Sequence, residues 1–191
     1  MSIKTITRKC MKTDKNGEIM KKIILIGGGT FSTVVIDAIL GNDAYSEYTI
    51  EGILDDKGLC DENYDYPHLG KIEDIYKFAS EDTFFVISIG NPKVRKIIAE
   101  KYADINYLSV IDKTANISGN VKIGKGSIIL KRTIINAFTQ IGDFAIVNAG
   151  AIVDHHCRIG SCTHIGQGVI LWHSAKIDDA EHLIPGTVVK G

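Results

Sequence analysis

No stretch of the chain approaches the ~20 consecutive apolar residues that span a bilayer, and the first residues carry scattered lysines without an apolar signal core. The expectation is a cytoplasmic protein with no membrane partner. An excess of either charge is also missing, since 22 Lys and Arg meet 23 Asp and Glu for a formal net charge of -1. That balance leaves no electrostatic footprint for nucleic acid. The four cysteines, Cys10, Cys60, Cys157 and Cys162, show neither the close pairs of a zinc site nor the density of a disulfide scaffold. Free thiols in a reducing compartment are expected, with no metal.

What is present is an unbroken beat of six. Stepping from Ile117 one meets Ile123, Ile129, Ile135, Ile141, Val147, Val153, Ile159, Ile165, Leu171, Ile177, Leu183 and Val189, all branched aliphatics. Chance would produce such a run about once in a million trials. The position four later is as regular, from Val121, Ser127 and Thr133 to Thr187, and only Glu181 among them is large. A period of six fits neither a helix nor one long strand, but it suits short strands joined by tight corners. One large aliphatic fills each face and one small residue fits inside each corner. Three faces close a triangular coil of 18 residues, so positions 18 apart stack at roughly 4.8 Å. His155 must then stack with His173, and His164 with His182, at corners.

The preceding half reads as a strand, a glycine turn and a helix: 21–26, Gly27-Gly28-Gly29, then Phe31 to Leu40, closed by Gly41. Glycines at such a junction let backbone approach a phosphate at the helix N-terminus. A ligand-free tight turn is the plain alternative, because Ser32 stands where a dinucleotide fingerprint wants its third glycine. A second strand, Tyr48 to Leu54, ends in Asp55-Asp56, which would either touch a ribose or base or simply cap a turn. A third, Phe84 to Ile89, ends in Gly90-Asn91-Pro92 before the helix Lys93 to Lys101.

Several of these stretches together resemble the sialic acid O-acetyltransferase and nucleotide-amino-sugar N-acetyltransferase (NeuD/PglD-type) family of hexapeptide-repeat acyltransferases. They are Ile-Gly-Gly-Gly-Thr-Phe-Ser-Thr-Val-Val (26–35), Leu54-Asp55-Asp56, Ile-Gly-Asn-Pro-Lys-Val-Arg (89–95) and Ile-Val-Asn-Ala-Gly-Ala-Ile-Val-Asp-His-His-Cys-Arg-Ile-Gly-Ser-Cys-Thr-His-Ile-Gly (146–166). The resemblance implies a Rossmann-like nucleotide-sugar domain over 21–110 and a left-handed parallel β-helix over 111–191; residues 1–20, ahead of the first strand, are expected to be a disordered extension. It implies a homotrimer with the site between subunits and acetyl-CoA as co-substrate. It further implies His155 as general base with His156 beside it, and His164, His173, Asn148 and Gly166 near acetyl-CoA. Gly27, Gly28, Gly29, Asp55, Asp56, Gly90 and Asn91 would hold a UDP-linked or other sugar.

The chain departs from that pattern in four places. His156 replaces an Asp or Glu that orients the base and stabilises its charged form, which a second imidazole is not expected to do. His173 stands where a glycine often lies beside the thioester, Phe31 replaces a histidine of the glycine loop, and the beat stops at Val189, about a coil early. These departures keep open a sugar-nucleotide-binding trimer impaired in catalysis. A trimeric zinc lyase of the γ-carbonic anhydrase kind is the third reading; its paired ligands lie five apart, and no two histidines here do.

Overall fold

The computed structural model describes residues 20–59 and 65–191. Cys10, Cys60 and the extension expected over 1–20, Met20 excepted, lie outside the described residues.

The first part is a parallel sheet of β1 (Lys21–Ile26), β2 (Tyr48–Leu54), β3 (His68–Gly70) and β4 (Thr83–Ile87), in the order β3-β2-β1-β4. Strand β1 is central and buried on both faces, which explains its continuous apolar run. Ile23 and Leu25 pack beneath α1 (Thr30–Leu40), whereas Ile24 and Ile26 belong with Ile98 and Ala99 of α2 (Pro92–Lys101) on the other face. This is the two-residue alternation of a strand. Both faces extend into the second part: Val110, Ile128 and Ile146 join the α1 side, and Phe144 and Cys162 the α2 side. The strand after 83 ends at Ile87 rather than Ile89, and the short β3 and the 3-10 turn Ile72–Lys77 were not legible in the hydrophobic pattern.

From Val110 onward the chain is a left-handed parallel β-helix built from fourteen two-residue strands in three sheets. Register places each residue beside the one 18 later, as in Ile146↔His164↔His182 and Val153↔Leu171↔Val189. The second residue of each strand points inward, and Ile129, Val147, Ile165 and their column-mates fill the interior. Buried corner hydroxyls donate to backbone carbonyls, Thr139 to Asp154 at 2.9 Å and Thr163 to Asp178 at 2.6 Å. From the corner after Ile123 onward each corner also carries one left-handed residue, three after the inward aliphatic. They are Gly126, Arg132, Phe138, Phe144, Gly150, His156, Cys162, Gly168, Ser174, Ala180 and Gly186, with φ between 55° and 75°.

Among the described residues no helix is long and apolar enough to cross a membrane.

Candidate active site

The corner that follows the strand Ile152–Val153 carries His155 and His156, both exposed. The left-handed turn at His156, φ 60°, brings the two rings together at 87°, and Nδ1 of one lies 3.0 Å from Nδ1 of the other. His173, one coil on, stacks on His155 at 5.5 Å and 13°. The expected ladder is present at this corner. His156 thus offers a hydrogen-bond partner to the His155 imidazole, though not a fixed negative charge. Asp154 does not reach the His155 ring. Its Oδ1 accepts from the His155 backbone N–H at 2.8 Å and from Asn136 Nδ2 at 3.0 Å, and these bonds hold its carboxyl below the usual range, Asn136 first.

His164 occupies a different place. It heads a strand rather than a corner, stacks on His182 at 4.7 Å, and is only 8% exposed at the junction of the two parts. A carbonyl can only accept, so Nδ1 carries the proton and donates it to Gly90 O at 2.8 Å. Nε2 then accepts from Asn148 Nδ2 at 3.2 Å, while Asn148 Oδ1 accepts the Ala149 N–H. Burial pushes the His164 imidazole down to about 4, so it is neutral near pH 7. These polar atoms of His164 and Asn148 are engaged within the chain. Gly166 is also sterically required, because a side chain there would meet Leu183 O and Pro185 N of the next coil.

In the first part, Gly27 has φ 106° and a side chain there would collide with Ile89. Asp55 Oδ2 accepts the Gly28 N–H at 2.7 Å and Oδ1 the Lys57 N–H, while Asp56 Oδ1 accepts from Ile72 N. Asn91 Oδ1 caps α2 through Lys93 N and Val94 N. These three side chains therefore hold the local turns and helix starts. Gly29 faces open space at the N-terminus of α1, and Phe31 sits 6.0 Å from His164.

Reasoning from sequence assigned no role to Arg95, whose guanidinium binds the carbonyls of Ile89, Gly90, Phe144, Cys162 and Thr163. The signal was its spacing, which puts it on the inner stripe of α2 with Pro92, Ile98 and Ala99. It also missed Phe138, whose ring lies 5.0 Å from that of His156. An open groove of about 750 Å³ runs along Lys122, Gln140, Arg158 and Lys176 on the sheet after the His155 corner, but His155 does not line it. Among the described residues no three His, Cys, Asp or Glu gather to hold a metal.

Residues 22–102 match the PglD N-terminal domain. UDP-N-acetylbacillosamine N-acetyltransferase of Bacillus subtilis (strain 168) is 27% identical over 115 residues, 58% of this chain and 52% of its own length. The chain thus spans about half of that relative, and 21% of a second curated one. The acetyltransferase domain of PglB from Neisseria gonorrhoeae FA1090 superposes with a TM-score of 0.74 at 25% identity, covering 88% of this chain and 91% of that one. A histidine mutant of perosamine N-acetyltransferase from Caulobacter crescentus, in complex with CoA and GDP-perosamine, gives 0.66 at 26% identity, covering 89% and 83%.

Proposed function

We propose that this chain, whose residues 22–102 match the PglD N-terminal domain, is an acyltransferase of the NeuD/PglD type that moves an acetyl group from acetyl-CoA to a sugar, with His155 as general base. The acceptor is a nucleotide-linked amino sugar or a sialic-acid-like sugar. One observation carries the reading: His155 is an exposed imidazole, hydrogen-bonded at Nδ1 and stacked on His173, on a ridge between two faces of the β-helix. Attack on the thioester forms a C–N or C–O bond and breaks C–S, and an imidazole takes the proton the nucleophile loses. A backbone N–H would hold the oxyanion of the intermediate. CoA and GDP-perosamine in the Caulobacter relative support both substrate classes.

The working unit of this proposal is a cytoplasmic homotrimer. Ile134, Ile170 and Val188 form an outward apolar row on the sheet just before the His155 corner, with Trp172 at its edge. Such a row suits a subunit boundary better than solvent, and it would bring the corner against a neighbouring chain.

Acetyl-CoA turnover with a panel of UDP- and GDP-linked amino sugars tests the reading. Wild type transfers acetyl, and His155→Ala loses about a hundredfold or more of kcat. No turnover in wild type, or full turnover in the variant, overturns it. The stacked His173 favours a second reading, a trimer that binds the sugar nucleotide without transferring acetyl, since that ring fills space where the family resemblance implies a glycine. Calorimetry detecting sugar-nucleotide binding without CoA binding decides for it.

A further inference from the structure

Where the family pattern has a carboxylate, His156 keeps the base partnered in another way. Two Nδ1 atoms at 3.0 Å form a hydrogen bond only when one carries a proton and the other a lone pair. The nearby carboxylate is hydrogen-bonded elsewhere, Asp154 Oδ1 accepting from Asn136 and from the His155 backbone N–H. His156 is fixed by its turn: its N–H donates to Ala137 O at 3.0 Å, and Phe138 packs on its ring. Phe138 and Ser174 share its left-handed backbone, so the conformation belongs to the column and the ring's use is specific to His156.

We propose that His156 is the positioning residue of the base and the second seat of its proton, a role that rests on the acyl-transfer reading. His155 Nδ1–H donates to His156 Nδ1, which turns a bare Nε2 toward the acceptor. As the sugar nitrogen or oxygen bonds to the acetyl carbon, its proton passes to His155 Nε2 and the Nδ1 proton crosses to His156. When the C–S bond breaks, the His155 Nε2 proton passes to sulfur, which leaves as the thiol, the shared proton returns from His156 to His155 Nδ1, and both rings end neutral. A carboxylate stabilises an imidazolium by opposite charge; a second imidazole shares the proton instead, and only while it is itself neutral. The other titratable groups at this corner are His173, stacked on His155, the Asp154 carboxylate, and the Cys157 thiol, which is directed to Trp172 O at 3.1 Å.

Two variants test the role, both compatible with left-handed backbone. His156→Asn keeps an acceptor oxygen but no proton seat, and His156→Asp restores the charge. With Asn, kcat falls roughly tenfold to a hundredfold while KM for acetyl-CoA stays within about twofold. With Asp, kcat recovers and the acidic limb of kcat/KM moves to higher pH, because a carboxylate favours the charged base. Unchanged kcat and an unmoved limb in both variants overturn the proposal. Nitrogen-15 NMR of the imidazoles decides the pairing without turnover. Wild type shows opposite Nδ1 tautomers, His155 protonated at Nδ1 and His156 bare there; a His155 tautomer balance identical in wild type and His156→Asn overturns the pairing. Absence of turnover with every acceptor defeats the acyl-transfer reading alone, so the two failures are separable.

Discussion

Arg95 Nε donates to the Phe144 carbonyl at 2.7 Å from a side chain with no solvent exposure, and so pins α2 to a corner of the β-helix. The guanidinium reaches four further carbonyls and, among the described residues, no carboxylate. Burial pushes it down to about 10, which leaves it charged at neutral pH. A planar fork of five N–H donors suits this ring of oxygens, whereas an ammonium offers three donors from one point. Arg95→Met should therefore destabilise the fold by about 3 kcal/mol or more, since buried carbonyls lose a charged partner. Arg95→Lys should recover little of that. Urea midpoints for the three proteins check it, and a Lys variant as stable as wild type contradicts it.

His164 ties the same junction through Gly90 O, which also accepts from Arg95. Its folded value is about 4 against an ordinary 6.5. Between these two values the unfolded chain binds a proton that the folded chain does not, so stability rises with pH across the window. The contribution is complete above 6.5 and lost as pH falls through 4, an upper bound of about 3 kcal/mol. Protonation would set an N–H against the Asn148 amide donor, and flipping that amide would forfeit its bond from Ala149 N. His164→Asn should flatten the slope. Urea unfolding at several pH values from 4 to 7 checks it, and parallel slopes in the two proteins contradict it.

The beat of aliphatics made the β-helix legible before any coordinates, because each inward position, Ile129 or Leu171 alike, must be large and apolar to fill the coil. The ladder of His155 and His173 followed from the same arithmetic. The left-handed corners did not show, since glycine marks only Gly126, Gly150, Gly168 and Gly186 among eleven such positions. Without those corners, neighbouring residues appear to point apart, which hid the meeting of His155 with His156. Arg95, and the bond that His164 makes to Gly90, stayed hidden for another reason. Both act on backbone carbonyls, and a carbonyl has no residue type to read.

One of those corner columns runs Arg132, Gly150, Gly168, Gly186. Arg132 is exposed and holds φ 58°, a conformation costing an L-residue roughly 1–2 kcal/mol. Its backbone N–H donates to Thr114 Oγ1, and a glycine keeps that bond. Against the relieved strain stands the larger freedom a glycine has when unfolded, roughly 0.5–1 kcal/mol. Arg132→Gly should therefore stabilise the chain by about 0.5–1 kcal/mol, raising Tm by roughly 1–4 °C. Calorimetric melting reads the change, and a fall in Tm shows that the arginine side chain contributes more than its backbone costs.

The apolar row of Ile134, Ile170 and Val188 separates assembly from folding. Ile170 points outward and is 37% exposed in the single chain, so Ile170→Lys removes little from the interior and should leave the coil's own stability within about 0.5 kcal/mol. At a three-fold boundary the same ammonium would be buried without a partner, at a cost of several kcal/mol per chain. Sedimentation should therefore find three chains in wild type and one in the variant. Ile170 lies three residues before His173, whose ring stacks on His155. Acetyl transfer should accordingly disappear with assembly while circular dichroism stays unchanged. An Ile170→Lys monomer with full turnover would place the whole reaction within one chain, and wild type sedimenting as a monomer would remove the boundary altogether.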